Sequence, residues 1–105
     1  MENFTFKHVF VIGKNVLQAR MYIPCLAEIF NRKGFGVIPM VADDFSKIFE
    51  FCVERRPNFI FFHKDVENSD PLTFISLMEG IKALSSKAYV FQTEEELITI
   101  ALEQI

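Results

Sequence analysis

The stretch Asn58-Phe59-Ile60-Phe61-Phe62-His63 constrains this chain more than any other. Four apolar residues follow one another without a polar break, and three of them are Phe. Such a run suits a strand covered on both faces, as in a parallel sheet, rather than one with a wet face. Pro57 gives the strand a sharp start, because proline cannot continue the helical pattern before it. His63 closes the strand, and Lys64 and Asp65 follow directly. In a parallel sheet the carboxyl ends of the strands are where ligands and chemistry gather. These three residues are therefore the first candidates for a site.

A chain of 105 residues is expected to form one domain with its own core. Half of it is hydrophobic and 13 residues are Phe, so burial can offset the entropy of ordering and disorder is excluded. The formal net charge of −3 supplies no global basic field, which argues against a nucleic-acid partner. The basic pairs Arg32-Lys33 and Arg55-Arg56 fall at predicted helix ends, where they complement the helix dipole. Cys25 and Cys52 lie inside predicted helices without CxxC spacing or a neighbouring His cluster. They read as buried free thiols, with no metal implied. No apolar run approaches the ~18 residues of a membrane span, and the first residues lack a signal-peptide pattern. A cytoplasmic location without membrane contact is expected.

Along the chain, residues 1–6 form a lead-in. Val9-Phe10-Val11-Ile12 is a second continuous apolar run, closed by Gly13, and predicts another central strand. Asn15 caps a helical pattern over residues 16–33, with Leu17, Met21, Cys25, Leu26, Ile29 and Phe30 at steps of three and four. Pro24 interrupts it. Either one long helix bends there, the preferred expectation, or the helix begins near Ile23 with Pro24 in its first turn. Gly34 stops the pattern after Arg32-Lys33. Val37-Ile38-Pro39-Met40-Val41 is the next strand, and its proline assigns it to a sheet edge. Asp43 or Asp44 caps a helix with Phe45, Ile48, Phe49, Cys52 and Val53 as its stripe. After His63, residues 64–71 read as a polar loop. Asp70 and Pro71 then open a helix to Leu84, with Leu72, Ile75, Leu77, Met78, Ile81 and Leu84 as its apolar face. Ala88-Tyr89-Val90-Phe91 is the fourth strand, and Thr93 with Glu96 forms a capping box for the last helix.

This β-α-β-α-β-α-β-α order predicts an α/β, three-layer α/β/α sandwich with a four-stranded parallel sheet of order 2-1-3-4, flavodoxin-like in type. The topological switch point then falls between the first and third strands. It brings Gly13, Lys14 and Asn15 close to His63, Lys64 and Asp65. His63 has the chemistry of a nucleophile, general base or phosphoacceptor, while the plainer role is a hydrogen bond to backbone or water. Asp65 suits a local turn, and Lys14 suits either an anion near a helix start or a solvated surface. Gly13 without further glycines in Gly-Lys-Asn-Val-Leu-Gln makes no dinucleotide fingerprint. The remaining Phe side chains, Phe4, Phe6, Phe35, Phe45, Phe49, Phe51 and Phe74, cannot all be central. Some are expected on an exposed apolar patch of the kind that marks a partner surface.

The chain resembles a response-regulator receiver domain. The likeness is carried by the strand at residues 9–12, the spacing Leu26, Ile29-Phe30, Gly34, Val37 into the second strand, and the run Arg56-Pro57-Asn58-Phe59-Ile60-Phe61-Phe62. In receivers the residue ending the third strand is the phosphoacceptor Asp, and His63 holds that place. Gly13, Lys14 and Asn15 stand where the family carries the acidic pair that binds Mg²⁺. The segment before Gly34 is a few residues longer than in the family, and four strands stand where receivers have five. Residues 88–91 align with either the fourth or the fifth of those, and in the second case Gln92 takes the place of the family's lysine. The resemblance thus implies a degenerate receiver that takes no metal or other cofactor. Such a domain is no enzyme and acts in signal transduction by contact with a protein partner or as a homodimer. The alternative is a small ligand-binding or catalytic flavodoxin-like domain that uses the strand-end corner at His63.

Overall fold

The structure, a computed structural model, describes residues 7–105. The lead-in, with Phe4 and Phe6, lies outside the described residues. Four strands make one sheet: β1 (Lys7–Gly13), β2 (Phe35–Val41), β3 (Phe59–His63) and β4 (Lys87–Phe91). All pairings are parallel and the order is β2-β1-β3-β4. The expected α/β architecture and strand order therefore hold. Helices α1 (Val16–Met21), α2 (Ile23–Phe30), α3 (Phe45–Arg55), α4 (Lys64–Ser69), α5 (Pro71–Ala83) and α6 (Glu94–Glu103) cover both faces.

Alternate residues of a strand point to opposite faces, so an unbroken apolar run feeds two cores. Val9, Val11, Phe59 and Phe61 meet Leu26 and Phe30 of α2 and Leu97 and Ala101 of α6 on one side. Phe10, Ile12, Ile60 and Phe62 meet α3, α4 and α5 on the other, through Ile48, Cys52, Val66, Phe74, Leu77 and Ile81. β2 lies at an edge, as Pro39 requires. The Ala42 N–H donates inward to the Gly13 carbonyl at 3.0 Å, and alternation turns the Pro39 nitrogen outward, where no donor is needed.

Three local expectations are corrected. The helix after β1 is not one long bent helix. It divides at Tyr22, whose φ of −98° and ψ of −2° leave the helical ladder, and α2 begins with Pro24 in its first turn. A proline ring clashes with the carbonyl four residues earlier, here that of Arg20. The Tyr22 N–H bonds that carbonyl instead, which closes α1 one residue before α2 starts. Once separated, α1 turns Ala19 inward, and Leu17 is left 78% exposed and Met21 on the surface. Residues 64–69 are not a loop but the helix α4, which buries Val66. On α5 the apolar face is Phe74, Leu77 and Ile81, and Leu72 stands 79% exposed with Ile75 also outside. The ring of Phe74 decides that rotation: it sits edge-on to Phe62, with centroids 5.0 Å apart, and offers more apolar area than Leu72. Of the other Phe side chains left over by the sequence, Phe35 and Phe45 are half-buried, while Phe49 and Phe51 are exposed. Cys52 is a buried free thiol, and Cys25 is only half-buried.

Gly13 is needed for a close approach rather than for a special backbone angle. A Cβ there would stand 2.6 Å from the Ala19 amide nitrogen, which is backbone and cannot yield. Replacing Gly13 with Ala must push α1 off the end of β1. We expect a loss of about 1–3 kcal/mol, the usual cost of overpacking. Urea denaturation of the two proteins side by side measures it.

Candidate functional site

The carboxyl ends of β1 and β3 lie side by side, because Ile12 pairs with Phe62 in register. The loop after Gly13 and the start of α4 therefore meet, as the order 2-1-3-4 requires. Asn15 caps α1 by accepting the Gln18 N–H on Oδ1 at 2.8 Å. Gln18 returns the favour through Oε1, which accepts the Lys14 N–H at 2.8 Å. This is a capping box closed one residue before the cap. The same Gln18 donates its Nε2–H to Asp65 Oδ2 at 2.8 Å, tying α1 to α4 across the switch point.

His63 is the N-cap of α4. Its Nδ1 accepts the Asp65 N–H at 3.0 Å, so that nitrogen carries no proton and the ring is in its Nε2–H tautomer by this hydrogen-bond assignment. The side chain is buried, 7% exposed, with its ring 5.4 Å from Phe91 and 5.9 Å from Tyr22. It packs on the α2 and α6 side of the sheet, not beneath α5. Asp65 and Glu67 occupy the first turn of α4, where negative charge is favoured by the helix dipole. Lys14 Nζ stands 3.6 Å from Asp65 Oδ2, and Lys64 Nζ stands 3.1 Å from Glu67 Oε1. The six residues named from the sequence thus do converge, but their polar groups are engaged within the protein, by Gln18 and Glu67 as well as by one another.

Asp65 carries the clearest electrostatic signature. The Gln18 hydrogen bond is the largest influence and, with the Lys14 ammonium, holds its carboxyl below the ordinary carboxylate value, against an opposing effect of burial second only to the Gln18 bond. On the adjoining surface, burial raises the Tyr22 hydroxyl, and Glu94, Asp65 and Cys25 add to it. Cys25 is raised by burial and by Glu94, and its thiol rests 3.2 Å from the Tyr22 carbonyl. Cys52 is pushed up to about 11 by burial. Both thiols are therefore protonated near neutrality and poor nucleophiles. Among the described residues no group of three or more His, Cys, Asp or Glu is arranged to hold a metal ion. Four surface cavities are lined by other residues, none of them His63, Lys14 or Asp65.

Gln18, Tyr22 and Phe91 belong to this corner and were not singled out from the sequence. Gln18 had a signal: an Asn followed three residues later by Gln is the capping-box pattern already recognised at Thr93 and Glu96. Tyr22 and Phe91 had none, since they meet only when the chain between them folds. Comparison of the chain with protein-family models, with curated proteins and with solved structures finds no match to any of the three.

A carboxyl with a lowered value stabilises the fold above its ordinary value and loses that contribution as pH falls through the lowered one. For Asp65 the stabilisation is fully present above about pH 3.8 and fades as pH falls below it. We expect Asp65→Asn to be less stable than the wild type at pH 7 and the gap to narrow steadily as pH falls below about 3.8. Urea midpoints across that range check it.

Proposed function

We propose that this chain is a non-enzymatic regulatory module that works by binding proteins, organised like a receiver domain but without its phosphoryl chemistry. The observation that carries this reading is the self-satisfied switch point. Asp65 is held by Gln18 and Lys14, His63 caps α4 through Nδ1, and Lys64 pairs with Glu67. Lys14 occupies the place where a divalent cation would need carboxylates, and its charge opposes one. A catalytic or ligand site built on His63 has less support, because a base or nucleophile must reach a substrate and this residue is only 7% exposed, its ring clustered against those of Tyr22 and Phe91.

The partner side of the reading draws on surfaces away from that corner. β4 pairs with β3 and with no further strand among the described residues. The Lys87 N–H donates inward to Asn58 at 3.1 Å, so Ala88 and Val90 turn their backbone groups outward. Such an edge can pair with another chain, which supports self-association through β4. The net charge of −3 favours protein over nucleic acid as partner. Among the described residues no helix is long and apolar enough to cross a membrane. Two free thiols fit a reducing compartment, which supports the cytoplasm.

Incubation with acetyl phosphate and Mg²⁺, followed by intact mass measurement, is expected to give unmodified protein. A stable phosphoryl adduct would overturn the reading. Light scattering of the purified chain is expected to give a dimer mass, and a strict monomer would remove self-association from it.

A further inference from the structure

The layer formed by α3 and α5 has a trough between its two helices, remote from the His63 corner. One part holds a cavity of about 440 Å³ with Phe45, Phe49, Leu77 and Gly80 as its apolar walls and Ser46, Thr73 and Ser76 at its lip. It adjoins a second cavity of about 370 Å³, which shares Phe45, Ser46 and Thr73 and ends against Asp43, Asp44 and Asp70. Gly80 shapes the apolar part. A glycine inside a helix costs roughly 0.5–1 kcal/mol against alanine, yet a Cβ here would come within 2.8 Å of Phe49 Cε1. The missing methyl lets the Phe49 ring lie against α5 and form a wall.

The charges lining the trough have one sign. Asp43, Asp44 and Asp70 stand at one end and Glu50 along the side, with no Lys or Arg among the lining residues. Asp44 and Asp70 cap α3 and α5, accepting the Ser46 and Thr73 N–H groups. Two helix starts of about half a positive charge each offset one of the three carboxylates at that end, so the end stays negative. From Thr73 to Gly80 the trough follows two turns of α5, about 10 Å. That length takes two apolar side chains one helical turn apart, and its acidic end then selects a cation beside them.

We propose that the α3–α5 trough binds a basic amphipathic helix of a partner protein, with an apolar pair at i and i+4 on the Phe45–Phe49–Leu77 walls and Lys or Arg against Asp43 and Asp70. The trough supplies apolar area and the carboxylates supply orientation and selectivity. The proposal rests on reading the chain as a protein-binding module, and it names the surface and the chemistry of the partner.

The probe is a synthetic, fluorescein-labelled helical peptide with one Leu pair at i and i+4 and two Lys at one end, titrated with the full chain by fluorescence anisotropy. Saturable binding is expected, about tenfold tighter than that of the same peptide carrying Glu for Lys, and weakened by salt. Ser76→Arg obstructs the lip and Asp43→Lys neutralises the acidic end. Both positions are exposed, so circular dichroism should show native folds while each variant binds roughly tenfold more weakly. Glu28→Lys, on the opposite layer, should bind as the wild type does. No saturable binding, equal affinity for the Glu peptide, or unchanged affinity in both variants would overturn the proposal. So would a wild-type dimer that Ser76→Arg alone dissociates, since a second copy would then be the occupant. Failure here leaves the reading of the switch point intact, whereas a phosphoryl adduct overturns that reading and says nothing against the trough.

Discussion

Two strands lying side by side with every side chain shielded are the constraint on which this structure depends. The residues Val9-Phe10-Val11-Ile12 and Phe59-Ile60-Phe61-Phe62 of β1 and β3 are all buried, and their parallel pairing sends them alternately into the two cores. Each such side chain contributes about 1.5–3 kcal/mol from area alone, set against the entropy of ordering the chain. None of α2, α3, α5 and α6 can be removed without exposing part of this wall. The positions of α2 and α6 on one face, and of α3 and α5 on the other, follow from the need to cover it.

The same pairing creates the corner that in many parallel sheets becomes a site. Here the chain closes it. Gly13 admits the α1 backbone, Gln18 reaches from α1 to Asp65, and His63 turns the end of β3 into the start of α4. A buried histidine whose Nδ1 accepts a backbone N–H and whose ring clusters with those of Tyr22 and Phe91 is holding structure. The contrast with the α3–α5 trough is physical. At the corner opposite charges and donors meet within the protein, while in the trough the lining charges are all acidic and an apolar wall is left partly open.

Much of this was legible in residues 9–12 and 59–62 and in Pro39, because runs of apolar residues and a proline in a strand carry their meaning locally. The caps at Asn15, Asp44, Asp70 and Thr93 were legible for the same reason, since each bond spans two or three residues. The six corner residues could be brought together from strand order alone. Their condition could not, because it depends on Gln18 and Asp65, which are 47 residues apart in the chain. α4 was missed because six residues with one buried side chain, Val66, give almost no periodic signal, and histidine is an unusual cap.

The sequence by itself determined a parallel α/β sheet of order 2-1-3-4, since continuous apolar strands alternating with amphipathic segments have few other ways to hide from water. Only the tertiary structure decided which faces of the helices are buried. α5 presents Phe74 rather than Leu72 because Phe62 lies beneath it, and α1 leaves Leu17 outside because Pro24 breaks the helix and frees it to turn. Periodicity shows that a helix has an apolar stripe, but where two stripes compete the choice belongs to the surface it lands on. His63 follows the same rule: its place at the end of β3 is written in the chain, and its role was set by the neighbours that folding brought to it.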